Sequence, residues 1–179
     1  MNQPASTLMV AVADRVVCVK ISGRANFTNS LDLKKVVYEL WERGYQNFIL
    51  DLSDCTLMDS TFLGVLAGIG LKFYAGNGAS SEGSVRIFNP NPRIKDTLEN
   101  LGVLHLFPMC DVSMLPAEPF QPVTGDGEQP TRTEVTRTCL EAHQVLMALN
   151  PDNVRKFKDV TQFLAEDLKK LEGEESKVG

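Results

Sequence analysis

Ile49-Leu50-Asp51-Leu52-Ser53-Asp54-Cys55-Thr56-Leu57-Met58-Asp59-Ser60-Thr61-Phe62-Leu63-Gly64-Val65-Leu66 is the stretch on which the fold turns. Phe48 to Leu52 is short and continuously apolar apart from its aspartate, the pattern of a central strand covered on both faces. After Asp59-Ser60, Phe62, Leu66, Ile69 and Phe73 recur at intervals of four, three and four, so one stripe of a helix faces the sheet. Gly64 and Gly68 lie one turn apart on that helix, where small residues let another element approach closely. Strand, short loop and helix thus follow one another, with a serine at the start of the helix. There a hydroxyl is exposed near the positive end of the helix dipole.

Working outward toward the amino end, residues 8–13 and 16–21 are two β-branched runs separated by Asp14-Arg15, a polar pair suited to a tight hairpin. Ser22-Gly23 breaks the pattern. Thr28 or Asn29 then caps a helix in which Leu33, Val36, Val37, Leu40 and Trp41 keep helical spacing until Gly44.

Toward the carboxyl end, residues 76–83 read as a flexible loop and Val85 to Phe88 as a strand. Asn89-Pro90-Asn91-Pro92 launches a third helix with Ile94, Leu98 and Leu101 on its core side and Gly102 at its end, before Val103 to Phe107 return toward the sheet. The alternation predicts an α/β sandwich of a mixed β-sheet and helices, residues 1–115. Residues 116–130 carry four prolines and two glycines without apolar periodicity and read as a linker. Residues 131–172 read as a helical hairpin: Val135, Cys139, Ala142, Leu146 and Leu149 form one stripe, and Val154, Phe157, Val160, Leu164, Leu168 and Leu171 another. A lone amphipathic pair cannot hide both apolar faces, so the hairpin is expected to fold on the domain, form a homodimer or receive a partner helix. Residues 173–179 are expected to be a charged tail.

With a net charge of -5 and pI near 5.1, the chain lacks the clustered basic residues that nucleic acid or an anionic membrane selects. No run approaches the roughly 18 apolar residues of a membrane span, and the first residues lack a basic region followed by an apolar stretch, so a cytoplasmic location is expected. Cys18, Cys55, Cys110 and Cys139 are scattered without a CxxC pair, and neither His105 nor His143 is followed by a second ligand three or four residues on. Neither disulfides, a metal nor a cofactor is expected, and both histidines are given structural or surface roles. Asp51 and Asp54 stand two residues apart where phosphoaspartate hydrolases need one. There is no Gly-x-Ser-x-Gly elbow, Walker loop or Gly-x-Gly-x-x-Gly turn. No catalytic residues are assigned, and the chain is expected not to be an enzyme.

The stretch 49–66 closely resembles the STAS family of anti-sigma-factor antagonists, whose signature is an apolar strand ending in aspartate or asparagine, a short loop, Met-Asp-Ser and a helix carrying Leu-Gly-Val. The resemblance extends over about residues 8 to 115. It implies a bacterial transcription regulator in signal transduction that binds an anti-sigma factor with serine kinase activity and is restored by a PP2C-like phosphatase. It further implies that Ser60 is the phosphorylated residue, with Thr61 a secondary candidate. Asn26, Asp59, Ser60, Thr61 and Phe62 are the docking candidates. Phe62 stands where the family usually has a small residue, and Asn26 in a region where many members have an aspartate; the ring is either core or partner contact. Asp59 either orients the Ser60 hydroxyl or caps the helix. As a bare dipeptide, Asp-Ser before an apolar run is an ordinary N-cap, and only its strand and Leu-Gly-Val context points to a switch. The alternative function is a constitutive scaffold or transporter-associated subunit in which Ser60 is only a cap and the hairpin makes permanent contacts.

Overall fold

The computed structural model describes residues 6–75, 83–124 and 127–178. Most of the loop anticipated at 76–83 lies outside them. Strand β1 (Thr7–Ala13) turns through Asp14, at φ 51°, into the antiparallel β2 (Val16–Ala25), with Leu8 opposite Ile21 and Val12 opposite Val17. β2 does not stop at Ser22-Gly23. It passes through a register shift between Gly23 and Arg24, at which Gly23 adopts φ 75°, a conformation costly for any residue with a Cβ. The extra length lets the end of β2 pair in parallel with β4 (Cys55–Met58), a strand where the sequence pattern predicts only a loop.

β3 (Asn47–Asp51) lies parallel to β2 and β5 (Ser84–Phe88) parallel to β3, so with β6 (Gln121–Pro122) the path runs β5-β3-β2-β1-β6, with β4 on the extension of β2. The sixth strand is a correction to the linker. Gln121–Pro122 pairs antiparallel with β1, and Val123 N donates to Leu8 O at 3.0 Å. Pro122 is tolerated there because β6 is an edge strand.

Helix α1 (Phe27–Glu42) is capped by Asn26, not by Thr28 or Asn29: the Asn26 side chain accepts from Thr28 N at 3.0 Å and Asn29 N at 3.4 Å. Leu33 and Val37 are buried, whereas Trp41 is 38% exposed at the end of the stripe, where its ring takes the Lys72 ammonium at 3.8 Å. Helix α2 (Ser60–Ala75) places Phe62, Leu66, Ile69 and Phe73 in the core. Helix α3 (Pro92–Asn100) starts on Asn91, whose carbonyl oxygen accepts from Ile94 N while its amide donates to Cys55 O at 2.7 Å, tying the helix to β4. Residues 104–106 form a single 3₁₀ turn, after which Met109 bridges to Ile87.

The carboxyl-terminal elements are α4 (Arg132–Leu149) and α5 (Asp152–Val178). Thr131 and Glu134 form a reciprocal capping box at the start of α4. The helix α5 runs through the segment expected to be a charged tail, and Glu172 and Glu175 pair back to α4 through Arg137 at 2.9 Å and Thr133 at 2.6 Å. Of the three fates open to the hairpin, this structure has it folded on its own domain: α4 packs on α2, and Ala142 and Leu146 join the common core. The junction is pinned by Asn153, fully buried, which donates to Leu101 O at 2.9 Å and Leu146 O at 2.8 Å.

Candidate switch site

Asp59 builds the start of α2. Its backbone N–H donates to Ala25 O at 3.0 Å, which closes the β2–β4 pairing and fixes where the helix begins. Its Oδ1 accepts from Phe62 N at 2.8 Å, and its Oδ2 accepts from Phe27 N, also at 2.8 Å. One carboxylate thereby satisfies an orphan donor of α2 and one of α1. Both oxygens are engaged by backbone, so Asp59 caps the helix and joins the two helix starts. Asn26, one residue before Phe27, is brought to the same place by that junction.

Ser60 is the first residue of α2 and is partly exposed. Its hydroxyl lies 2.9 Å from His143 Nε2 on α4. The other imidazole nitrogen, Nδ1, is 2.6 Å from Cys139 O. A carbonyl oxygen can only accept, so Nδ1 carries a proton and, in the neutral ring, Nε2 presents its lone pair to the Ser60 hydroxyl. Ser60 then donates to His143. The ring is 5% exposed and packs edge-on against Phe157 of α5, with centroids 5.2 Å apart.

Thr61 is 7% exposed, and its hydroxyl donates to Cys139 Sγ at 3.6 Å. Burial pushes the Cys139 thiol pKa up, opposed by the Thr61 hydrogen bond and assisted by the Asp59 charge. Phe62 resolves to core. At 0% exposure its ring offers no docking surface, which removes it from the docking set. Phe27, at 46% exposure and bonded through its backbone to Asp59, is an apolar surface residue beside the site that the sequence reading did not single out.

One turn further along α2, Gly64 lies against Ala142. A Cβ at Gly64 would approach the Ala142 carbonyl carbon to 2.5 Å and its Cβ to 2.6 Å, so the missing side chain is what lets α4 come this close. Gly68 does not share that role, since a Cβ there would meet nothing within 4 Å. Lys34 of α1 and Glu141 of α4 add an exposed ion pair at 3.2 Å.

His143 is the principal site residue missed from sequence. It follows Cys139 by four residues and precedes Leu146 by three, in phase with the apolar stripe, which is the signal that placed its ring in the interface. Its partner came from 83 residues away. His105, by contrast, is exposed beside Tyr74. Asp51 is 4% exposed and accepts from Ser53 N at 3.0 Å and Ser53 Oγ at 2.6 Å, while Asp54 pairs with Lys20 at 2.7 Å. These two carboxylates organise the turn after β3. Among the described residues, no group of three or more His, Cys, Asp or Glu side chains is arranged to hold a metal.

The family model described as the STAS domain matches residues 7–113, more than half of the chain. The chain belongs to the STAS domain family. None of the curated proteins matches the sequence. The STAS fold here is similar to that of the anti-sigma factor antagonist SpoIIAA in its unphosphorylated form, with a TM-score of 0.51, 15% identity, and coverage of 59% of this chain and 90% of that one. An anti-sigma factor antagonist from Mycobacterium paratuberculosis gives a TM-score of 0.49 at 21% identity, covering 59% and 85%. The phosphorylated Bacillus cell fate determinant SpoIIAA gives 0.48 at 15%, covering 59% and 93%. The STAS match ends before α4 begins, so the hairpin that supplies His143 lies beyond it. No helix among the described residues is long and apolar enough to cross a membrane.

Proposed function

We propose that this STAS protein is a cytoplasmic anti-sigma-factor antagonist switched by phosphorylation of Ser60. The observation that carries this is the division of labour at the start of α2: Asp59 does the capping with both oxygens, which leaves the Ser60 hydroxyl out of the cap, held only by its hydrogen bond to His143. With Ser60 unmodified, the surface around Asn26, Phe27, Asp59 and Ser60 receives an anti-sigma factor that is also a serine kinase; Thr61, buried against Cys139, takes no part in it. The sigma factor is thereby released.

In the kinase reaction the Ser60 oxygen attacks the γ-phosphorus of ATP, the bond to the β-phosphate oxygen breaks, ADP leaves, and the hydroxyl proton passes to a base of the kinase. The product carries about -1.5 to -2 charge beside Asp59, which adds repulsion and a desolvation cost to the contact. Binding ends until a PP2C-like phosphatase hydrolyses the ester. The STAS chain contributes the acceptor and the surface and performs no catalysis.

The test is to incubate the protein with ATP and its cognate kinase, map phosphate by mass spectrometry, and compare partner affinity for Ser60→Ala and Ser60→Asp. Phosphate on Ser60 and loss of binding in Ser60→Asp are expected. An unmodified Ser60 together with wild-type affinity in Ser60→Asp overturns the proposal.

A further inference from the structure

The switch face is already occupied. The side of α2 that carries Ser60, Thr61 and Gly64 lies against α4 of the same chain, through the Ser60–His143 bond at 2.9 Å, the Thr61–Cys139 contact at 3.6 Å and the close approach of Gly64 to Ala142. These contacts recur at the first, second and fifth residues of α2, so α4 lies along the first turn and beyond. A partner that docks on this face must take the place of α4.

We propose that α4 is an intramolecular occupant of the switch face and that a phosphate on Ser60 expels it. The occupant is committed by the geometry: His143, Cys139 and Ala142 fall on the buried side of α4 and meet three residues of α2 in register. Expulsion follows from space: the gap between Ser60 and His143 is spanned by a single hydrogen bond, and a phosphorus with three further oxygens has no room in it while Gly64 and Ala142 hold the helices together.

The hairpin is held by further contacts at its far end, through Asn153 to Leu101 and Leu146. Opening is thus a swing or local release of α4 and α5, and needs no unfolding of the sheet. Without a partner, unmodified Ser60 goes with the closed hairpin, which the kinase displaces on docking; phosphorylated Ser60 goes with the open hairpin, and there the phosphate charge keeps the partner off. The first half of the proposal stands on the contacts alone; only the second half rests on Ser60 being the phosphorylated residue.

Hydrogen exchange by mass spectrometry on the full chain tests it, with wild type, Gly64→Ala, Ser60→Glu and Ser60→Ala. Gly64→Ala adds one methyl group aimed at Ala142 and favours the α2 helix itself. In Gly64→Ala and Ser60→Glu, the amides of 132–149 are expected to exchange at least about tenfold faster than in wild type, while β2 and β3 exchange unchanged. Ser60→Ala, which adds neither bulk nor charge and removes one hydrogen bond, is expected to accelerate α4 by no more than about fivefold. Exchange of α4 at the wild-type rate in both Gly64→Ala and Ser60→Glu overturns the cover, as does acceleration of β2 and β3 alongside α4 in both. Acceleration in Gly64→Ala without any in Ser60→Glu overturns the phosphate gate. None of these arms requires a kinase, so failure here is distinct from failure to find phosphate on Ser60.

Discussion

The Ser60 hydroxyl and the His143 imidazole meet at 2.9 Å, one at the start of the STAS helix α2 and the other on a helix beyond the family's boundary. The orientation is fixed from the far side of the ring, where Nδ1 donates to Cys139 O. A residue read as a phosphate acceptor is therefore a hydrogen-bond donor within its own chain.

Removing that donor weakens docking of the hairpin modestly. Ser60→Ala is expected to lower stability by about 1 kcal/mol, since one hydrogen bond to a neutral partner is lost and no cavity larger than an oxygen is made. Urea denaturation measures it. His143→Ala removes the bond and also the ring packed on Phe157, and is expected to cost about 2–4 kcal/mol.

Asp59 holds two backbone donors on two helices, so its loss is felt in the domain proper. Asp59→Ala is expected to destabilise by about 2 kcal/mol, at the upper end for a helix cap because Phe27 N is orphaned with Phe62 N. Asp59→Asn keeps one strong acceptor and is expected to cost about half as much. Thermal unfolding of the two variants gives the comparison.

The order of elements in the domain was legible because each carried a period or a cap: the alternation in β1 and β2, the stripe in α2, and Asn91-Pro92 before α3. Two strands were not. β4 is only four residues, Cys55-Thr56-Leu57-Met58, and its pairing depends on the bulge at Gly23, a distant event that no local pattern announces. β6 contains a proline and reads as linker until β1 is there to receive it. At the site, Asp59 and Ser60 were legible from their place between strand and helix. The buried position of Phe62 followed from the stripe it begins, and the docking role offered to it came from its neighbourhood in the motif. His143 was in phase with its helix, but which serine it would meet depends on how α4 crosses α2.

Asn153 is the pin at the base of the hairpin. Asn153→Ala removes the buried donor to the Leu101 carbonyl and the second donor to the Leu146 carbonyl, which keeps Asn150 N–H, and is expected to cost about 2 kcal/mol. Limited proteolysis is expected to cut the variant between the domain and α4 sooner than wild type.

Alkaline pH is expected to destabilise the fold through Cys18. Burial, with a smaller contribution from the Asp51 charge, pushes its thiol pKa from 9.0 up to about 12. A pKa raised in the folded state means stability fully present below 9.0 and lost progressively as pH rises toward 12, because the unfolded chain ionises first. Denaturation midpoints for wild type and Cys18→Ala across this range are expected to converge as pH increases.

The central claim is that Ser60 is the switched residue and that α4 controls access to it. Phosphate occupancy at Ser60, measured by tandem mass spectrometry on wild type and Gly64→Ala recovered from the protein's own cells, tests it most directly. Phosphate on Ser60 is expected in both, with higher occupancy in Gly64→Ala because the cover is loosened. Absence of phosphate from Ser60 in both proteins, or phosphate carried on other residues alone, would contradict it.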